Sequence, residues 1–263
     1  MIRTEHNGIS WYSFESLRDP AIVQGTFTRH GGVSQAPFGT LNVGSTVGDD
    51  PAAVQANHAR LFSAWNIPAE RVVTVQQVHG NRVAVASEQD GGRIFPETDA
   101  LISQIPGLYL LLRFADCVPV FLYAPRQRAV GLTHAGWKGT LQEIAMQTVR
   151  AMTATFGCQP GELVAGIGPS IGPCCLEMDG DVLADFRARY GQEEGCIVRP
   201  QANGKAFVDL WRINALQLQA AGVQQIETAG ICTSCRRDEF FSHRAENGKT
   251  GRFAALIGIT AKA

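Results

Sequence analysis

The sequence Val118-Pro-Val-Phe-Leu-Tyr123, followed after Pro-Arg-Gln-Arg by Ala129-Val-Gly-Leu-Thr133, predicts two strands joined by a short polar turn. Strands connected so closely pair antiparallel, as a hairpin. With the turn centred on its Pro-Arg pair, Cys117 and His134 fall opposite each other at the open end. The hairpin is therefore expected to bring a thiol and an imidazole together.

A third side chain of the same kind, His79, precedes a turn signal. Gly80-Asn81 separates the apolar runs Val72–Val78 and Val83–Ala86, so we expect His79 at the tip of another pair of strands. Taken singly, each of the three residues could be an ordinary turn or core residue. Together they form a donor set for zinc that leaves the fourth position open, as in catalytic sites. Copper is the alternative metal for such a set.

Length and composition indicate a chain with one core. The 263 residues are 45% hydrophobic, and no linker, repeat or low-complexity tract divides them, so residues 1–263 are predicted to form a single catalytic domain. The net charge is −1 and charges of both signs are interspersed. Because no basic stripe is present, we expect no nucleic acid partner.

Membrane insertion and secretion are not indicated. The longest apolar run, Leu108–Leu112, ends at Arg113, far short of the roughly 20 residues of a membrane helix. The first residues lack the apolar segment of a secretion signal. Seven cysteines are an odd count in a chain that does not need disulfides for stability. These features predict a cytoplasmic protein with no membrane partner.

Periodicity predicts four helices. One starts at the Asp50-Pro51 cap and stops at Pro68, and a second opens at Thr140, where Glu143 would complete a capping box. The other two cover about 180–190 and 209–221.

Strand patterning is more frequent than helix patterning and comes in runs. The predicted strands include 21–28, 71–78, 83–87, 108–114, 118–123, 129–133, 163–167, 225–231 and 252–260. Strict alternation of strand and helix is absent, which favours an α+β fold with mixed, largely antiparallel sheets.

Two segments next to the predicted metal ligands carry further candidates. Asp116 adjoins the thiol and could orient a ligand or carry a proton. Lys138, Gly139 and Thr140 deliver a cation and backbone amides to a predicted helix start, where an anion is favoured. A phosphate or carboxylate could be held there beside the metal.

Other motifs leave alternatives open. Arg29 in Thr28–Ser34 and Arg244 in Phe240–Arg244 could face an anionic ligand or simply a solvated loop. Cys232-Thr-Ser-Cys235 has redox spacing, but it lacks the strand and helix context and the second CxxC pair of a zinc ribbon. Cys174-Cys175 are interpreted as small buried hydrophobes.

The chain resembles the family of multicopper polyphenol oxidases or laccases, also described as purine nucleoside phosphorylases, which includes the bacterial peptidoglycan editing factor. The matching segments span nearly the whole chain: Phe27–Ser34, Leu41–Gly44, Val47–Pro51, Gln77–Gly80, Ala115–Pro119, His134–Gly139, Ile167–Cys175 and Phe240–Arg244. The resemblance implies that His79, Cys117 and His134 are zinc ligands of a catalytic site. It also implies a layered α/β/β/α sandwich similar to the cytotoxic necrotizing factor deamidase fold.

The resemblance further implies an activity. The expected enzyme is a zinc-dependent purine nucleoside phosphorylase, which splits adenosine, inosine or methylthioadenosine with phosphate into the base and a ribose 1-phosphate. Adenosine deamination is a further expected activity. Arg29, Asn42 and Arg244 join Lys138, Gly139 and Thr140 as candidates for binding nucleoside or phosphate.

Three other functions remain open. Cys117 could be the nucleophile of a cysteine hydrolase that edits cell-wall precursors, with His134 as its base. The laccase description suggests copper-dependent phenol oxidation, although six histidines are few for a multicopper cluster. A zinc-stabilised interaction module is the non-enzymatic alternative, but three ligands leave a position open that structural zinc normally fills.

Overall fold

The computed structural model describes residues 1–261, which form sixteen strands and five α-helices. The strands are β1 (Ile2–His6), β2 (Ile9–Ser13), β3 (Ile22–Phe27), β4 (Val72–Val75), β5 (Val83–Val85), β6 (Ile94–Phe95), β7 (Ala100–Ser103), β8 (Tyr109–Phe114), β9 (Val118–Ala124), β10 (Ala129–Ala135), β11 (Val164–Ile167), β12 (Glu177–Met178), β13 (Ile197–Val198), β14 (Ala206–Val208), β15 (Gln225–Thr228) and β16 (Phe253–Ile259). The helices are α1 (Pro51–Ala64), α2 (Trp137–Leu141), α3 (Ile144–Phe156), α4 (Gly180–Tyr190) and α5 (Leu210–Ala220).

Two large sheets and one small sheet contain these strands. The first large sheet has seven strands in the order β1-β2-β3-β16-β8-β4-β6, and the second has six in the order β15-β11-β9-β10-β7-β5. Most pairs are antiparallel, while β4 with β6, β4 with β8, β5 with β7, and β11 with β15 are parallel. The predicted α+β class with mixed, largely antiparallel sheets is confirmed.

The two large sheets pack face to face and carry helices on their outer faces. Leu110 and Leu112 of β8 meet Phe121 and Tyr123 of β9 in the apolar layer between the sheets. The alternate residues of β9, such as Leu122, face α3 and α5 on the other side. Helix α1 covers the outer face of the first sheet. Because both faces of β9 are covered, its sequence is continuously apolar, and the layers follow the order α/β/β/α.

The predicted hairpin of β9 and β10 is present, with a register different from the expected one. Residues 125–128 form the turn, so His134 pairs with Pro119. The centre of the turn thus lies between Arg126 and Gln127, one residue beyond the predicted centre. Cys117 lies two residues before Pro119, at the open end of the hairpin. Its side chain is therefore diagonal to His134 rather than directly opposite.

His79 does not lie at the tip of a hairpin, and this prediction was wrong. The preceding strand, β4, belongs to the seven-stranded sheet, whereas the following strand, β5, belongs to the six-stranded sheet. The segment 76–82 therefore crosses from one sheet to the other. His79 has a positive φ of 61° in this crossover, which turns the chain where a continued strand was expected.

The predicted helix start at Thr140 was also wrong. Thr140 lies inside the short helix α2, and its N–H donates to Gly136 O at 2.8 Å. Glu143 adopts a left-handed conformation with φ of 60° and its side chain makes no cap, so α3 begins at Ile144. The capping box is absent because the chain breaks between two helices at this point.

The other three helices agree with the predictions to within a few residues. Asp50 Oδ1 accepts the Ala52 N–H at 3.0 Å and caps α1 as expected. The strands not predicted from the sequence are β1, β2, β6, β7, β12, β13 and β14, although β7 is a buried strand beside the hairpin. Among residues 1–261, no helix combines the length and apolar character needed to cross a membrane.

Candidate metal centre and adjoining cavity

The three predicted metal ligands come together. Donor atoms of His79, Cys117 and His134 all lie within 4.8 Å of one another, and the two imidazole ring centroids are 4.8 Å apart. His134 lies near the end of β10, Cys117 directly precedes β9, and His79 arrives from the crossover. Two nitrogens and one sulfur at this spacing suit a single tetrahedral zinc ion with one open position.

A buried carboxylate orients one of these ligands. His134 Nδ1 donates to Asp99 Oδ1 at 2.8 Å, and Asp99 is fully buried. With Nδ1 occupied, Nε2 is the nitrogen left to bind a metal. A carboxylate behind a histidine ligand is a common arrangement at zinc sites, where it fixes the ring and its tautomer.

The same carboxylate shapes the crossover that carries the other histidine. Its oxygens accept the N–H groups of Val78, His79 and Gly80 at 3.2, 2.9 and 2.8 Å. Asp99 thereby ties two of the three ligands into one network. Sequence patterns did not identify Asp99, because an isolated acid just before a strand gives no periodic or spacing signal.

Gly136 provides the space in which the ligands meet. A Cβ at this position would lie 2.9 Å from His79 Cδ2 and 3.1 Å from Cys117 Sγ. Gly139 is similarly restricted, since its Cβ would lie 2.9 Å from Gly80 O. The glycines of the His134–Gly139 segment therefore allow close packing around the metal centre.

The thiol and its neighbouring imidazole polarise each other. Burial alone would raise the pKa of Cys117, but His134 and His79 more than offset this effect and lower it to about 6. Burial would lower the pKa of His134, yet the Cys117 thiolate and Asp99 raise it to about 9. The pair favours a thiolate, which is the form of cysteine that binds metals and attacks electrophiles.

A cavity of about 760 Å³ opens beside these ligands. Its size lies within the range of small-molecule sites. Both sheets and several loops contribute to its lining, which consists of Gly44, Ser45, Thr46, Val75, Gln76, Gln77, His79, Ile94, Arg113, Ala115, Asp116, Cys117, His134, Trp137, Ile171, Leu176, Leu210, His243, Arg244 and Arg252.

Three arginines in this lining have no acidic partner. Arg113, Arg244 and Arg252 form no ion pair with any acidic group of residues 1–261, and their guanidinium groups donate hydrogen bonds to backbone carbonyls. Guanidinium groups bind carboxylates and phosphates through paired hydrogen bonds. The cavity is therefore suited to an anionic group close to the metal ligands.

Two of these cations were not among the predicted site residues, although the sequence carries a signal for them. Arg113 interrupts an otherwise apolar strand, and Arg252 directly precedes β16, whose residues are all buried. A cation in such a position must find a polar surface inside the protein. Here that surface is the cavity wall.

Asp116 also lies at the cavity. Its Oδ1 accepts the Thr233 hydroxyl at 2.7 Å, and its Oδ2 accepts the Arg244 N–H at 2.6 Å. These bonds connect the residue beside the thiol to the loop that carries one of the cavity arginines. Its role as a proton carrier stays a prediction.

The predicted anion cradle is placed differently from expectation. Lys138 is exposed, its Nζ lies 5.3 Å from the Trp137 ring centroid, and it is not part of the cavity lining. Thr140 is fully buried, and its N–H is used within α2. These residues and Gly139 are therefore not brought to the cavity, and the arginines are better placed to bind an anion.

Two further predicted site residues, Arg29 and Asn42, lie outside the cavity lining. Arg29 pairs with Glu246 at 3.1 Å and lies over the Phe241 ring, with 4.4 Å to the centroid. Asn42 is fully buried and accepts the N–H groups of Gly44 and Arg252 at 2.9 and 2.8 Å. Neither residue lines the cavity, but Asn42 positions two residues that do.

Comparison with known proteins gives consistent matches over most of the chain. Residues 23–260 match the family model described as multi-copper polyphenol oxidoreductase laccase. The purine nucleoside phosphorylase YlmD of Geobacillus stearothermophilus is 40% identical over 245 residues, covering 90% of this chain and 89% of that protein. A purine nucleoside phosphorylase of Deinococcus radiodurans is 38% identical over 245 residues, covering 92% of each chain.

Solved structures agree with these matches. The crystal structure of YlmD from Geobacillus stearothermophilus superposes with a TM-score of 0.92 at 38% identity, covering 98% of each chain. The Bacillus licheniformis protein YfiH gives a TM-score of 0.90 at 34% identity, covering 97% of each chain.

Proposed function

The chain belongs to the multi-copper polyphenol oxidoreductase laccase family, and from this membership and the cavity geometry we propose that it is a purine nucleoside phosphorylase. Its relatives bearing that name share 35–40% of their residues with it over most of their length. The proposed reaction transfers the ribosyl group of a purine nucleoside from the base to inorganic phosphate. Adenosine, inosine and methylthioadenosine are the proposed substrates.

The observation that carries the proposal is the position of the three unpaired guanidinium groups. Arg113, Arg244 and Arg252 line the same cavity as the thiol and the two imidazoles. Phosphorolysis needs an anion held beside the reacting carbon, and fixed donors in the cavity wall supply charge stabilisation without reorganisation. We assign phosphate to these three guanidinium groups.

The metal ligands complete the polar side of the site. Zinc held by His79, Cys117 and His134 would act as a Lewis acid towards a substrate oxygen. Asp99 keeps the His134 ring in one orientation, so the ligand geometry is set before substrate enters. Asp116 accepts the Arg244 backbone N–H and thereby helps to fix one of the three cavity arginines.

An apolar part of the cavity suits the purine base. Trp137, Ile171, Leu176 and Leu210 contribute to the lining. Aromatic and aliphatic walls bind flat heterocycles by burying their faces, while a few polar groups set the orientation. His243 lies in the same lining and can give a proton to the departing base.

The test is product analysis with purified protein of measured zinc content. Adenosine and inosine are incubated with and without phosphate, and the products are identified by mass spectrometry. Ribose 1-phosphate and free base should appear only with phosphate. Inosine formed from adenosine without phosphate would reveal deamination as a second activity. Absence of base release from every purine nucleoside would refute the proposal.

The lowered pKa of Cys117 supports one alternative, a cysteine hydrolase with His134 as its base. Such an enzyme would cleave an amide or ester of a cell-wall precursor, show no dependence on phosphate, and lose activity when zinc occupies the thiolate. Adding zinc to metal-free protein separates the two functions, because zinc should restore phosphorolysis and inhibit a free thiolate nucleophile.

A further inference from the structure

Two pairs of cysteines that are far apart in the sequence converge outside the candidate metal centre described above. Sulfur atoms of Cys174, Cys175, Cys232 and Cys235 all lie within 4.8 Å of one another. The first two occupy the loop between β11 and β12, and the other two lie in the segment after β15. The interpretation of Cys174 and Cys175 as buried hydrophobes was wrong, because Cys174 is exposed and Cys175 only partly buried.

The spacing of the sulfurs fits a single metal ion better than a disulfide. Cys235 Sγ lies 3.6 Å from Cys174 Sγ and 3.5 Å from Cys175 Sγ. Sulfurs about 2.3 Å from a tetrahedral zinc ion are about 3.8 Å from one another. A disulfide requires about 2.05 Å, and no pair of cysteines among the described residues is bonded.

Backbone amides point at one of these sulfurs. Gly172 N–H donates to Cys232 Sγ at 3.2 Å, and the Cys235 backbone amide also hydrogen-bonds to it. Such donors stabilise a thiolate and are a recurrent feature around sulfur ligands of metals. Cys232 and Cys235 thus form a CxxC turn, and Cys174-Cys175 supplies the second pair that the sequence alone did not reveal.

We propose that Cys174, Cys175, Cys232 and Cys235 bind one zinc ion in a closed tetrathiolate site, separate from the centre at the cavity. Four protein ligands leave no position for substrate, so this site is structural. Four sulfurs and no oxygen or nitrogen donors exclude magnesium and calcium, which prefer oxygen.

The site fastens the outer wall of the cavity. Ile171 and Leu176, which flank the Cys174-Cys175 pair, line the cavity. Cys175 O accepts from Arg244 Nη1 at 3.2 Å, and Thr233, next to Cys232, donates to Asp116 at 2.7 Å. A zinc ion that joins the two loops would therefore hold both the apolar wall and one of the arginines in place.

Metal content of single variants tests the site. The protein is purified without chelator or polyhistidine tag, and metals are measured per chain by elemental mass spectrometry. We expect Cys235→Ser and Cys174→Ser each to lose one zinc equivalent relative to the wild type. Cys117→Ala should lose a different equivalent, so that Cys117→Ala combined with Cys235→Ser loses two. Cys158→Ala, at a buried cysteine outside both groups, is the matched control and should lose none.

A measurement on the wild-type protein keeps the proposal testable if the serine variants do not fold. Cys174 and Cys235 are exposed, so an alkylating reagent can reach their sulfurs when no metal is bound. With zinc bound, their labelling, located by peptide mass spectrometry, should become fast only after a chelator is added. Immediate labelling, an intact mass that shows a disulfide, or iron in place of zinc would overturn the proposal. If Cys117→Ala loses zinc while Cys235→Ser and Cys174→Ser lose none, the tetrathiolate site is refuted. If the serine variants lose zinc while Cys117→Ala loses none, the tetrathiolate site stands and the zinc of the proposed function is refuted.

Discussion

The carboxylate of Asp99 accepts the Nδ1–H of His134 at 2.8 Å, and the same oxygen accepts the backbone N–H of His79 at 2.9 Å. One buried oxygen therefore positions two ligands that are 55 residues apart in the sequence (134 − 79). The candidate metal centre depends on Asp99 for its geometry, although this residue would not itself touch the metal.

Replacing Asp99 by Asn should weaken zinc binding while the protein stays folded. The amide can still accept a backbone N–H, but it lacks the charge that favours the His134 tautomer. Loss of such a partner typically lowers metal affinity by about 10- to 100-fold. Competition with a chromogenic chelator measures the change. Asp90→Asn removes another buried acid, one that bonds to Ser87 and Arg93, and should leave zinc affinity unchanged.

Gly136→Ala should displace the ligands without straining the backbone. Gly136 has φ of −70° and ψ of 173°, which alanine adopts readily. The added methyl group would lie 2.9 Å from His79 Cδ2, so the ring must move. We expect lower zinc stoichiometry with a nearly unchanged circular dichroism spectrum. Gly161→Ala, whose methyl group would meet nothing closer than 3.7 Å, is the control; equal zinc content in both variants would contradict this steric explanation.

Local sequence signals predicted the hairpin and three of the four helices. The hairpin of β9 and β10 depends on two apolar runs and a four-residue turn, all within 18 residues (118 to 135). Local patterning is therefore sufficient to place Cys117 and His134 together. Their diagonal offset depends on the centre of the turn, which an apolar pattern leaves uncertain by one residue.

Features that depend on distant pairing could not be predicted in this way. The runs on either side of His79 look like partners, yet they belong to different sheets, because β4 pairs with β8 and β5 with β7. Likewise, 57 residues separate Cys175 from Cys232 (232 − 175). The parallel pairing of β11 with β15, continued by a bridge between Ser170 and Cys232, brings the loops that follow these strands together.

The stability of the protein should fall in mild acid because of His58. This ring is partly buried against Phe62, and its Nε2 lies 3.1 Å from Val43 O. Burial lowers its pKa below the usual 6.5 and outweighs the hydrogen bond to Val43 O, which raises the pKa, while the Arg113 charge lowers it further. The neutral form is therefore favoured in the folded state. As pH falls below 6.5 the unfolded chain gains a proton first, so stability is lost until the folded-state pKa is reached.

Thermal unfolding of wild type and His58→Gln, at pH values from about 7.5 to 5, measures this loss. Glutamine can donate to Val43 O but does not titrate, so the midpoint of the variant should fall less in this range. Contributions from His134 and the metal centre are common to both proteins and cancel in the difference. Asp99 and Glu246, whose pKa values are lowered, act only in stronger acid. Parallel curves for the two proteins would exclude His58 as the cause.

Arg252→Ala should reduce the use of phosphate more than any change at Lys138. Arg252 lines the cavity and has no acidic partner within residues 1–261, whereas Lys138 is exposed and lies outside the lining. A lost charge-assisted hydrogen bond costs about 1.5–3 kcal/mol, which corresponds to a roughly 10- to 150-fold fall in kcat/KM for phosphate. Steady-state rates with inosine at varied phosphate provide the measurement, and Arg252→Lys should recover part of the loss because it keeps the charge but not the paired donors.

Lys138→Ala should stay within about twofold of the wild type, since a solvated cation outside the cavity contributes little to binding. If Lys138→Ala lost phosphate use while Arg252→Ala kept it, with zinc content unchanged in both, phosphate would have to bind on the side of α2, and the three cavity arginines would need another ligand.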